Sequence, residues 1–133
     1  MASLKIRSGT LEDYLYKDER NNISKVVNKD KKNAKYAKLD YQVIAYKPDK
    51  NLSLVKINLY TGRHHQIRVQ LSHAGHSIFG DQKYGTRGQG KQIALWAYEL
   101  TIEHPITKQE MTFKSIPESN GTWCILKNVV TVK

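Results

Sequence analysis

Apolar and polar positions alternate most cleanly in the middle of the chain. From Tyr36 to Tyr46, Leu39, Tyr41, Val43 and Ala45 fall on one side and Asp40, Gln42, Ile44 and Tyr46 on the other, the period of a half-buried strand. Val55, Ile57 and Leu59 repeat the pattern with Lys56 and Asn58 between them, which predicts a second strand over 53–60. Lys47-Pro48-Asp49-Lys50-Asn51 is turn chemistry, so the two should form an antiparallel hairpin. Thr61 and Gly62 break the alternation. Ile67, Leu71 and Ala74 then fall at i, i+4 and i+7, which predicts a short helix with that stripe on the core and Gly75 as its left-handed cap. Alternation returns over 93–102, with Trp96, Tyr98, Leu100 and Ile102 on one face. A second hairpin across Ile106 to Gln109 leads into 110–114, with Met111 and Phe113 inward.

Outside these stretches the pattern is weak. Residues 5–35 are polar and rich in Lys and Asn, and read as loop with one or two short strands. The Lys29 to Lys35 run reads as a solvated turn. Gly85, Gly88 and Gly90 punctuate a loop after the helix, and beyond Pro117 a tail offers Trp123, Ile125 and Leu126 for docking. The pattern as a whole predicts an α+β fold: a mixed, mainly antiparallel sheet with a short basic helix packed on one face, in a single domain over 1–133.

Charge sharpens this picture. Lys and Arg number 22 against 12 Asp and Glu, a formal net charge of +10 in 133 residues. Such an excess favours polyanions, nucleic acid first and an anionic membrane second. No run approaches the ~18 apolar residues of a membrane span, and no secretory core is present, so no membrane partner is expected. Cys124 is alone, which excludes an internal disulfide framework and, with the missing signal, points to the cytoplasm. A buried structural thiol beside Trp123 and Ile125 fits it better than a catalytic one. Met1-Ala2-Ser3 reads as an added start.

The junction between strand and helix carries the candidate chemistry. Arg63 and the first-turn N–H groups suit an anion, and His64 and Arg68, four apart, would share a helix face. A basic amphipathic helix is equally an ordinary solvated face over a core stripe. His64 and His65 are adjacent and should diverge, while His73 and His76 straddle Gly75. Neither pair has tetrahedral metal spacing, so no metal is expected. General-base chemistry by His64 or His65 in a phosphodiesterase is an enzymatic alternative.

The order of residues here is informative in itself. Thr61-Gly62-Arg63-His64-His65-Gln66-Ile67-Arg68, then Gly75-His76-Ser77-Ile78-Phe79-Gly80-Asp81-Gln82-Lys83-Tyr84-Gly85, resembles the block TGRxHQIR, helix, GxPIxGDxxYG of the RluA-type pseudouridine synthases, with Ser77 in place of the usual Pro. Ala34 to Ile44 is similar to the family strand before that block. Ile93 to Leu100 with His104-Pro105 resembles its LHAxxLxFxHP stretch, with Trp96 for the usual His. The likeness runs from about Ile6 to Phe113. It implies an isomerase that converts uridine to pseudouridine in structured ribosomal or transfer RNA, without metal or cofactor. The family's essential Asp lies in an HRLDxxTSG motif in the amino-terminal half of the catalytic domain, and this chain has no such motif. The resemblance therefore implies the carboxyl-terminal part of a catalytic domain, inactive alone.

By the same resemblance, Arg68 is the catalytic-site residue, placed to pair with the absent Asp. Planar guanidinium suits that role, since it aligns two hydrogen bonds on a carboxylate and is never deprotonated. Ile67 and Leu95 would line the uracil pocket, although core packing suits Ile67 equally. Arg63, His64 and His65, with Lys83 and Arg87 from the loop, are RNA-backbone candidates, and Tyr84 either stacks on a base or packs. With its Asp missing, Arg68 is expected to face solvent. Strands 36–46 and 93–102 are expected to be open edges through which copies self-associate. A non-catalytic RNA-binding module sharing this half-fold is the alternative reading.

Overall fold

The computed structural model describes residues 8–48, 51–85, 93–95 and 99–114, with the backbone alone at 99–101. Arg87, Trp96, Tyr98, Trp123, Cys124, Ile125 and Leu126, and with them the expected 86–90 loop and docking tail, lie outside the described residues.

Four strands form an antiparallel sheet: β1 (Ser8–Asp18), β2 (Ile23–Val27), β3 (Lys35–Lys47) and β4 (Leu52–Leu59), in the order β2-β1-β3-β4. The β3–β4 hairpin is the expected one, closed in register from Leu39 opposite Leu59 to Val43 opposite Val55. The register shifts between Val43 and Ala45, so a bulge at Ile44 ends the strict alternation there. β3 is not an edge. It lies between β1 and β4, and among the described residues the sheet's edges are β2 and β4.

β1 corrects the reading of the polar amino-terminal region as mostly loop. It is 11 residues long and pairs with both β2 and β3. Its inward positions include Asp13 beside Leu11 and Leu15, because Asp13 accepts a hydrogen bond from Gln70 Nε2 at 3.0 Å. A polar residue satisfied inside the layer interrupts the apolar alternation without interrupting the strand.

The helix α1 (Gln66–His73) packs against β1 and β2 over a core of Leu15, Ala37 and Val69. The expected stripe is displaced. Ala74 is exposed and Ile67 only half-buried, whereas Gln66, Val69, Gln70 and Leu71 are buried. Two glutamines face the sheet because the strand backbone supplies their partners. Gln66 Nε2 donates to the Lys38 carbonyl (3.1 Å), and Gln70 Nε2 to the carbonyls of Leu11 (3.3 Å) and Ala37 (3.4 Å). Gly75, at φ +87°, ends the helix as predicted, with the His76 N–H on the Leu71 carbonyl and the Gly75 N–H on that of Ser72.

The second hairpin is β5 (Glu99–Glu103) with β6 (Glu110–Lys114), pairing Ile102 with Met111. Residues 93–95 are irregular, so the strand read over 93–102 is described only from Glu99. Phe113, expected inward, is half exposed.

Candidate functional site

The site is built where β4 runs into α1. Gln66 joins the two: its Oε1 accepts the Thr61 hydroxyl (2.8 Å) and the Arg63 N–H (3.0 Å), while Lys38 N–H donates to Thr61 Oγ1 (3.0 Å). The first-turn face is thus tied to its own side chain and to β3. His65, at φ 54°, takes the left-handed conformation just before the helix. That kink is why His64 and His65 do not diverge as helical neighbours would. Their rings stack with centroids 3.7 Å apart.

One turn into the helix, Arg68 does not face solvent. Its Nε donates to Asp81 Oδ2 (3.0 Å) and its Nη2 to Oδ1 (2.9 Å), and its side chain is 22% exposed against 0% for Asp81. Asp81 Oδ1 also accepts the N–H groups of Lys83 and Tyr84, each at 3.1 Å. Burial pushes the Asp81 carboxyl up, but the Arg68 fork and the Tyr84 and Lys83 N–H groups together outweigh it and hold it below the ordinary carboxylate range. The same hydrogen bonds, donated by Arg68 to Asp81, push Arg68 up, so the pair is firmly ionised. A carboxylate this enclosed, with four donors on it, is a structural counter-ion and not a nucleophile. The expectation of an unpaired Arg68 missed Asp81, although the signal was present in the Gly-Asp-x-x-Tyr-Gly spacing: an Asp whose oxygen caps the N–H groups two and three residues on.

Tyr84 is half-buried and held by contacts with the helix start and with β2. Its ring lies under the Arg68 guanidinium (5.0 Å to the centroid) and edge-on to His65 (5.5 Å). Its hydroxyl accepts the Ser24 N–H (2.9 Å) and bonds His65 Nδ1 (2.7 Å). These contacts account for packing, one of the two roles weighed for Tyr84. Gly85 follows because a Cβ there would meet the Asp81 carbonyl oxygen at 2.8 Å.

His64 completes the contact with β2. Its Nδ1 bonds Ser24 Oγ (2.7 Å) and its Nε2 bonds Asn22 Oδ1 (3.1 Å). Nothing in the sequence pattern marks Ser24 or Asn22. Burial, then nearby Lys17, push the His64 imidazole down. His65 is pushed down to about 4 by burial, by His64 and by Arg68. Both rings are therefore neutral at pH 7. Lys83 Nζ donates to the Asn22 carbonyl (2.8 Å), and Arg63 Nε to that of Tyr36 (2.8 Å), with Arg63 itself exposed. Leu95 is 39% exposed, next to Ala94, whose N–H is bonded to the Phe79 carbonyl (2.8 Å). Among the described residues no group of three or more His, Cys, Asp or Glu is placed to hold a metal, and no helix is long and apolar enough to cross a membrane.

Residues 3–73, from before β1 to the end of α1, match the family model described as RNA pseudouridylate synthase. The chain belongs to that family. An uncharacterized RNA pseudouridine synthase of Helicobacter pylori is 32% identical over 117 residues, which is 84% of this chain and 36% of that protein. The dual-specificity RNA pseudouridine synthase RluA of Escherichia coli is 39% identical over 84 residues, covering 61% of this chain and 38% of RluA. This pseudouridylate synthase family chain thus spans little more than a third of the curated relatives it matches. The solved human RNA pseudouridylate synthase domain containing 1 superposes with a TM-score of 0.72 over 89% of this chain and 51% of the human one, at 22% identity, so the fold is shared. The α+β expectation holds: a mainly antiparallel sheet with one short helix on a face.

Proposed function

We propose that this chain supplies the Arg68 side of an RNA pseudouridine synthase that isomerises uridine in structured ribosomal or transfer RNA, and that these 133 residues alone do not turn over. The observation that carries the reading is the Arg68 site: a preorganised guanidinium held by Asp81 and Tyr84 at the family motif, its one recorded carboxylate partner among the described residues being the enclosed Asp81. In the reaction the N1–C1′ bond of uridine breaks, the base turns, and a C5–C1′ bond forms. The C5 hydrogen is lost and N1 gains one, so no redox partner or metal is required. The catalytic carboxylate comes from the HRLD-bearing part of a complete domain. Arg68 N–H groups beyond the two taken by Asp81 would hold that carboxylate ionised. Ile67 and Leu95 would border the uracil, and Arg63, His64, His65, Lys83 and Arg87 would meet the RNA backbone. Of these, Arg63 is the strongest candidate because it is exposed while one nitrogen anchors it. The strand β4, an edge of the sheet among the described residues, is where two copies of the chain would self-associate.

The Asp81 partner also lends support to a non-catalytic RNA-binding module, since Arg68 is already paired within the chain. Incubation of this chain with unmodified RNA transcripts, followed by pseudouridine mapping by chemical adduct and primer extension, tests both readings. The expected result is RNA binding without conversion. Metal-independent conversion by this chain alone would overturn the claim that a further carboxylate is required.

A further inference from the structure

The sheet face turned away from α1 carries a row of tyrosines. Leu15 and Ala37 are buried against Val69 of the helix, with buried Leu39 on the same side of β3, so the alternate positions Tyr14 and Tyr16 on β1 and Tyr36 and Lys38 on β3 point the other way. Tyr14 and Tyr36 are register partners with ring centroids 5.7 Å apart. Tyr60, just past β4, bonds its N–H to the Lys38 carbonyl (3.1 Å), and Lys38 Nζ sits 4.7 Å from its ring centroid. The row therefore crosses the sheet from β1 to the β4 side. Tyr36 is 38% and Tyr60 55% exposed. The Tyr36 hydroxyl donates to Glu12 and that of Tyr60 to Asp40, which fixes the rings in place. At the rim stands the β2–β3 turn, where Lys29, Lys31 and Lys32 are exposed around a single acid, Asp30. Lys31 Nζ lies 4.8 Å from the Tyr16 ring centroid, so this turn belongs to the tyrosine face.

We infer that this face is a stacking platform for single-stranded RNA, with bases on Tyr16, Tyr14, Tyr36 and Tyr60 and phosphates on Lys29, Lys31 and Lys32 of the β2–β3 turn. The inference rests on the reading of the chain as RNA-directed. Every base presents a π-face, and aromatic rings flanked by cations are what a sequence-tolerant single-strand site is made of. The 5.7 Å between Tyr14 and Tyr36 exceeds the ~3.4 Å per nucleotide of a duplex strand, which suits an extended strand with splayed bases. A protein partner fits less well, because lysine is depleted at protein interfaces. Glu12 and Asp40 lie among the rings and direct the phosphates to the lysine rim.

The test is fluorescence anisotropy of the full chain with a labelled oligouridine of about 12 nucleotides, with melting curves to show that each variant folds. Tyr16→Leu and Tyr60→Leu should each weaken binding about tenfold, the scale of one lost base stack. Tyr16→Phe and Tyr60→Phe should bind as the parent chain does. An abasic oligomer of equal length, which forfeits every stack, should bind the parent chain more weakly than oligouridine binds either Leu variant. Unchanged affinity in folded Leu variants, or equal losses in the Phe variants, would overturn the platform. If Arg63→Ala weakens binding while the tyrosine variants do nothing, the platform alone falls. If the parent chain binds no RNA of any form, the RNA-directed reading falls with it.

Discussion

Truncating Arg68 distinguishes a buried, organised ion pair from a surface one. Arg68→Ala leaves the Asp81 carboxylate fully enclosed with only the Lys83 and Tyr84 N–H groups on it, and removes the guanidinium that covers the Tyr84 ring. Breaking a buried pair from one side costs on the order of 3–5 kcal/mol, whereas an exposed pair contributes ~0–1 kcal/mol. Because a fifth of the Arg68 side chain is exposed, the lower end applies, about 3 kcal/mol. For a domain of this size that lowers the melting temperature by on the order of 10 °C. Asp81→Asn keeps an oxygen for the two N–H groups and loses the charge, so its cost should be smaller, about 2 kcal/mol. The double variant should show a coupling of roughly 1–3 kcal/mol. Circular-dichroism melts of the four proteins at pH 7 measure all three quantities. A loss below 1 kcal/mol for Arg68→Ala, or strict additivity, would refute the argument that Asp81 and Arg68 act as a unit. The pH dependence has a definite sign. Asp81 is held below its ordinary value of 3.8, so the pair's stability is complete above that value and is lost as pH falls through the lower folded-state value.

The His65 ring, pushed down to about 4 from 6.5, makes the unfolded chain bind more protons between those values, so stability should fall as pH drops from 6.5 to 4; His65→Asn, compatible with the left-handed backbone, should flatten that slope in melts. Gln70→Leu should cost about 1–3 kcal/mol in urea titrations, because Asp13 and the Leu11 and Ala37 carbonyls lose a buried donor. Gly85→Ala should lower the melting temperature, since its Cβ would lie 2.8 Å from the Asp81 carbonyl oxygen in the loop that holds Arg68. RNA affinity should fall with salt at a logarithmic slope of about −3 for some four phosphates neutralised on single strands, and a flat response would contradict backbone binding.

The β3–β4 hairpin and the Gly75 cap were legible because apolar alternation and glycine punctuation act locally. β1 was not, because its inward Asp13 is satisfied only once Gln70 arrives from 57 residues away. The helix face was misplaced for the same reason: Gln66 and Gln70 count as polar in any periodicity, yet strand carbonyls make them the buried side. The motif singled out Arg68 and left Asp81, its partner within the chain, unremarked. The resemblance supplied a carboxylate from elsewhere, while the fold brings Asp81 to it from 13 residues on. The stacked His64 and His65 follow from one left-handed residue, which no helical wheel anticipates.

The central claim is that Arg68 is this chain's part of a pseudouridine-forming site. The direct measurement is tritium release from RNA carrying 5-tritiated uridine, by a chimera in which this chain replaces the matching segment of Escherichia coli RluA. Metal-independent release that Arg68→Ala abolishes, while the chimera stays folded, is the expected result. Release undiminished by Arg68→Ala, or none from a folded chimera that binds the RNA, would contradict it.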